Sequence, residues 1–133
     1  YLDSLHGGRP LFPPPGRARW VALRQQAMAD GICDASVLRR LEGMRPESLR
    51  SADWSERQRR AVFRTLDTLE EEVEGLPPAD APDIGGIAVA AALGYLDFRF
   101  GHEGWRQGRA GRARWFEGMA ARDSFRRTAP PTE

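Results

Sequence analysis

The residues from Ile84 to Phe98 are apolar almost all the way round a helix: Ile84, Ile87, Ala88, Val89, Ala90, Ala91, Ala92 and Leu93 leave no polar face. A helix of that kind has to be enclosed by other elements, so the chain is expected to pack as a bundle around it. The small residues of this run let neighbouring helices come close. Asp83, just before it, is placed to cap the first free N–H groups. The apolar run Ile84 to Leu96 reads as too short to span a bilayer, and Asp97 and Arg99 follow it at once. No segment alternates in the manner of a strand between turns. The expected class is therefore all-α, a bundle of about five helices around a central buried one.

The remaining helices follow from periodicity. A first long helix is expected from about Arg17 to Gly43, with two apolar stripes. Trp20, Leu23, Ala27, Leu38 and Leu41 form one, taken as the core face; Val21, Arg24, Met28, Ile32 and Ala35 form the other. Two stripes mean two neighbours, so the second is expected to look out of the bundle. Gly31, costly in mid-helix, suggests a close backbone approach or a bend. A second helix is expected from about Asp53 to Glu74, capped by Ser51 or by Asp53 with Glu56, and carrying one stripe of Trp54, Ala61, Val62, Leu66, Leu69 and Val73. Gly75 and Pro77-Pro78 end it. A last helix is expected from about Arg112 to Arg122. Before all of these, Tyr1 to Leu5 reads as the final turn of a helix, and Pro10 with Pro13-Pro14-Pro15 as a stiff linker pinned by Leu11 and Phe12.

Four segments, in order, carry a family resemblance. Asp83-Ile-Gly-Gly-Ile-Ala-Val-Ala-Ala-Ala-Leu-Gly-Tyr-Leu-Asp-Phe-Arg99 resembles the central buried helix of bacterial glutathione transferases, most specifically in its Gly94-Tyr-Leu-Asp-Phe-Arg99 ending. Trp115-Phe-Glu-Gly-Met-Ala-Ala-Arg-Asp-Ser-Phe125 resembles the family's closing segment, and Ala29-Asp-Gly-Ile-Cys-Asp-Ala35 its first long helix. Tyr1 to Leu5 with Pro10-Leu-Phe-Pro13 resembles the end of the thioredoxin-like domain and the interdomain linker. The resemblance implies that residues 1–15 are that end and linker, and that 16–133 form the all-helical C-terminal domain. It implies a cytoplasmic homodimer whose parent protein joins glutathione, its co-substrate, to small electrophiles. The glutathione-contacting motifs of the family precede Tyr1, so these residues alone are expected to bind no glutathione and to be inactive. Arg24, Met28 and Ile32 become the expected wall toward a hydrophobic substrate, the thioredoxin-like domain or a second subunit. Three positions depart from the pattern: Gly86 where an Asp often closes a capping box, Arg112 where an apolar residue is common, and Asp123 in place of a frequent Pro.

Composition narrows the alternatives. The 133 residues suit one domain, and 41% apolar with 29% charged residues is an ordinary globular balance. A net charge of +1 gives no general pull toward nucleic acid or an anionic membrane, and neither is an expected partner. Cys33, the one cysteine, excludes an internal disulfide and reads as a structural thiol within a helix. His6 and His102 lie in Gly-flanked loops without ligand spacing, so no metal is expected. Arg99 to Arg127 carries eight Arg against three acids with Trp105, Trp115 and Phe116 among them. The favoured reading is a buried aromatic stripe under a solvated Arg face; the alternative is an RNA-binding bundle. Asp97 with Arg99 reads as an ion pair or cap at the end of the buried helix. A non-catalytic adaptor of the same fold is the other class of function.

Overall fold

The computed structural model describes residues 1–131. Its α-helices are α1 (Arg17–Met44), α2 (Ala52–Glu71), α3 (Ile84–Phe100), α4 (Ala110–Ala120) and α5 (Asp123–Thr128), with 3-10 turns at Leu2–Ser4, Glu47–Leu49, Val73–Gly75 and Gly101–Glu103. No strand occurs among the described residues. Thr132 and Glu133, the end of the expected 16–133 domain, lie outside them.

The bundle is centred on α3, whose Val89, Ala90, Ala92 and Leu93 are fully buried. By length and apolarity alone 84–103 is enough to cross a membrane, which corrects the expectation that this run is too short. Here it is the shared neighbour of α1 and α4. Asp83 caps it by accepting the Gly86 N–H at 2.9 Å. The linker supplies a further acceptor: the Leu11 carbonyl takes the Ile84 N–H at 3.0 Å. Leu11 and Phe12 in turn donate their N–H groups to the Asp3 carboxylate at 2.8 and 3.1 Å. Those two bonds hold the Asp3 carboxyl below its usual range. A short polar relay thus ties the N-terminal turn to the start of the central helix.

The largest interface is between α1 and α3, and it is closer than side chains of ordinary size permit. A Cβ on Gly85 would stand 2.5 Å from the Ala22 carbonyl oxygen. The α1 residues in this contact are small or polar: Ala22, Gln25, Ala29, Ala35 and Ser36 are buried, with Ile32 beside them. The expected core face is therefore not the core, and of the second stripe Ile32 and Ala35 are buried while Val21 and Arg24 are exposed. Trp20, Leu38 and Leu41 are exposed, on the side of α1 away from that buried set. At Gly85 the α1 backbone comes so close, at Ala22, that α3 has no room for a side chain there. Gly31 is not part of this approach; nothing lies within 4 Å of where its Cβ would be, and α1 continues through it.

In α2 the expected stripe is buried at Val62, Leu66 and Leu69, under an N-cap from Ser51, whose side chain accepts the Trp54 N–H at 3.4 Å. Glu56 closes no capping box; it faces Arg59 at 3.6 Å. The helix stops at Glu71, and a 3-10 turn over Val73–Gly75 replaces the expected last turn. The expected last helix is α4, and a further short helix, α5, follows it. Because α4 has no side-chain cap of its own, Glu70 of α2 serves it, accepting the Gly111 N–H at 2.8 Å and the Arg112 N–H at 2.6 Å. Asp97 accepts from the Trp105 indole at 2.7 Å and pairs with Arg106, not serving as a simple cap at the end of α3.

Candidate functional site

On the flank of α1, between its buried and outward sides, α1 and α2 leave a groove of about 340 Å³. Arg24 and Met28 of α1 face Ala61, Arg64, Thr65 and Thr68 of α2 across it. Both threonine hydroxyls donate within their own helix, Thr65 to the Ala61 carbonyl at 3.0 Å and Thr68 to the Arg64 carbonyl at 3.2 Å. Their donor capacity is thus used, and what they add to the groove is a methyl and an acceptor oxygen. Met28 is half-buried and packs against the core, leaving part of its flexible thioether toward the groove. Arg24 is exposed and paired with Glu72 at the end of α2. A recess of mixed polarity, with Met28 and Ala61 beside two guanidinium groups, suits a small molecule that pairs an apolar body with an acidic group.

Of the three residues expected to form one wall, the structure brings Arg24 and Met28 together and removes Ile32. Ile32 is 1% exposed, inside the cluster that includes Val62, Leu66 and Leu93, so its expected outward orientation is corrected. Thr65 and Thr68 were not singled out by sequence, and Ala61 was read as part of the core stripe of α2. Their only signal as groove residues is tertiary: they occupy the α2 side that meets the flank of α1.

The other candidate residues stand apart from this groove. Cys33 is half-buried; burial, then the nearby Asp30 and Asp34 carboxylates, push its thiol above the usual range. That is the opposite of what a nucleophilic thiolate needs. His6 and His102 are exposed, and among the described residues no group of three or more His, Cys, Asp or Glu is placed to hold a metal ion. Trp105 and Phe116 are buried and meet edge to face, with ring centres 5.9 Å apart. Trp115 is half-buried, its indole N–H on the Pro77 carbonyl at 2.9 Å. Trp105 and Phe116 are core, and Trp115 packs against it.

The outward side of α1 is the most apolar surface. Trp20 is 71% exposed and Met44 65%, with Val37, Leu38 and Leu41 between them. Tyr1, Leu2 and Leu5 are exposed in the N-terminal segment. Val37, Leu38, Leu41 and Met44 gather at the end of α1, more than a scatter of single surface residues, and Trp20 stands near its start with exposed Asp30 and Asp34 between.

Residues 52–118 match the family model for the glutathione S-transferase C-terminal domain. An uncharacterised GST-like protein, YibF, of Escherichia coli (strain K12) is 40% identical over 132 residues, which is 98% of this chain and 65% of that protein. The chain thus spans less than two thirds of that relative. A glutathione transferase family member from Pseudomonas fluorescens Pf-5, solved with bound glutathione, is 43% identical at a TM-score of 0.93, over 99% of this chain and 64% of its own. Solved with bound S-(propanoic acid)-glutathione, it gives 42% identity and a TM-score of 0.91, over 99% and 68%. A glutathione S-transferase from Methylobacillus flagellatus KT with glutathione bound is 34% identical at a TM-score of 0.90, over 98% and 66%.

Proposed function

Because this chain belongs to the glutathione S-transferase family through its C-terminal domain, we propose that it is the substrate-side and dimerisation domain of a longer cytoplasmic protein that joins glutathione to small electrophiles. The observation that carries this reading is the likeness, over nearly the whole chain, to solved relatives that hold glutathione or a glutathione conjugate. In this reading residues 1–15 belong to a thioredoxin-like domain and its linker, and the helical domain begins at residue 16. Glutathione is held and its thiol activated in that other domain. The groove of Arg24 and Met28 then receives the electrophile: Met28 shapes itself to an apolar body, and Arg24 meets an anionic group. The outward side of α1 supports the second half of the proposal. Trp20, Leu38, Leu41 and Met44 are covered by the thioredoxin-like domain and by a second subunit.

The test compares this chain with a form carrying the upstream domain. Calorimetry of the chain alone with glutathione is expected to show no saturable heat, whereas the longer form binds it and conjugates it to a chlorodinitrobenzene. In the longer form Met28→Ala raises KM for the aromatic electrophile by about three- to tenfold and leaves KM for glutathione unchanged. Saturable glutathione binding by these residues alone, or an unaltered substrate profile in the Met28 variant, overturns the assignment.

A further inference from the structure

Beside the groove of Arg24 and Met28 on α2, and sharing Arg64 with it, lies a second recess of about 550 Å³. Arg57, Arg60 and Arg64 succeed one another at spacings of three and four residues, so they stand in a row of about 10 Å along one side of the helix. Among the described residues their side chains make no ion pair or hydrogen bond. Elsewhere cations are neutralised in pairs: Arg24 with Glu72, Arg39 with Glu103, Arg45 with Glu42 and Arg106 with Asp97. Like charges at these spacings repel and weaken a helix unless something neutralises them.

The floor of the recess is built and rigid. Phe63 lies between two guanidinium groups, Arg59 at 4.5 Å and Arg109 at 5.2 Å from its ring centre. Arg109 reaches in from the start of α4 and is 8% exposed. It is fixed by the Trp105 carbonyl at 2.8 Å, the Gln107 carbonyl at 3.2 Å and Asp67, while its Nε has no partner. Asp67 is the one acid lining this recess against five arginines.

We propose that this recess is a binding site for a small linear oligophosphate, with Arg109 and Arg59 as its fixed base and Arg57, Arg60 and Arg64 closing on the anionic groups. Planar guanidinium forks match phosphate oxygens in pairs, and a row of three separated cations matches a ligand whose charges are spread in line. Two cations already lie over the Phe63 ring, Arg109 and Arg59, the latter also 3.5 Å from Glu103, so a stacked base is not required. The compact recess favours a small ligand over an extended strand.

The test is titration calorimetry of the chain with inorganic tripolyphosphate at about 150 mM salt, where distant charges are screened beyond about 8 Å. One-to-one saturable binding is expected. Arg57→Gln and Arg60→Gln, both at exposed positions, each weaken it by about tenfold. Arg114→Gln, an exposed cation of α4 outside the recess, leaves it unchanged. Adenosine triphosphate run in parallel identifies the source: tighter binding than tripolyphosphate supports a nucleotide ligand, weaker binding a free oligophosphate. Absence of saturation, an equal loss in Arg114→Gln, or affinity for single-stranded RNA that rises with strand length overturns the proposal.

Discussion

Arg112 is fully buried, and none of its guanidinium nitrogens has a hydrogen-bond partner. Burial lowers its pKa to about 10, with Glu70 and Glu72 pulling the other way. A cation held this way is penalised in the folded state, so Arg112→Leu should stabilise the domain by about 1–3 kcal/mol, read as a higher denaturation midpoint. The sign follows from the lowered pKa. At neutral pH the penalty is complete in the native protein. It lifts only above about pH 10, where the folded form loses its proton before the unfolded one, so the advantage of the Leu variant should shrink there. Cys33 titrates in the opposite direction. With its thiol raised by burial and by two neighbouring carboxylates, alkylation by iodoacetamide should be slow at pH 7 and accelerate only above the usual thiol range. Rapid modification at neutral pH, or loss of conjugating activity in Cys33→Ala, would show that this thiol is reactive after all.

Single helices repeat the lesson that the space available at a position decides the sign of a substitution. From helix capping alone, Gly86→Asp is expected to stabilise α3 by ~0.5–1.5 kcal/mol. The structure reverses that expectation: a Cβ at Gly86 would stand 2.9 Å from Cγ of the Pro77 ring and 3.6 Å from Trp115, so the variant should lose about 1–2 kcal/mol. Gly31 is the contrasting site. It is open to solvent and mid-helix, and Gly31→Ala should gain about 0.5–1 kcal/mol. Thermal unfolding of the two variants side by side checks both signs. The same physics explains what the sequence made legible. Val62, Leu66 and Leu69 could be read from periodicity because α2 buries one stripe of large residues. On α1 the two stripes were visible, but the first proved to be exposed and the second was core only at Ile32 and Ala35. Size is a poor guide where Gly85 admits the Ala22 backbone, and the true core side is written in alanines, a serine and a glutamine. Arg24 and Met28 were legible as part of the second stripe. Their partners Thr65 and Thr68 were not, because a groove between helices has no signature in either helix alone.

At the scale of the whole molecule, the outward apolar residues of α1 separate stability from assembly. Trp20→Glu and Leu41→Glu change residues that touch little of the domain's own core, so the unfolding midpoint of this chain should move by less than about 0.5 kcal/mol. In the longer protein the same changes should turn a dimer into monomers by analytical ultracentrifugation. A large loss of stability in the chain alone would place those residues inside the fold instead. Within the bundle, the reach of Glu70 across to α4 sets a clock. The amide protons of Gly111 and Arg112 sit at a helix end, where fraying ordinarily releases protons to solvent within the shortest opening events. Here they are held by a carboxylate 41 and 42 positions earlier in the chain. Their exchange with deuterium must wait for α2 and α4 to part. The first turn of α4 should therefore exchange at the pace of a cooperative opening of the bundle, and Glu70→Gln should release those two amides selectively before any other part of the helix follows.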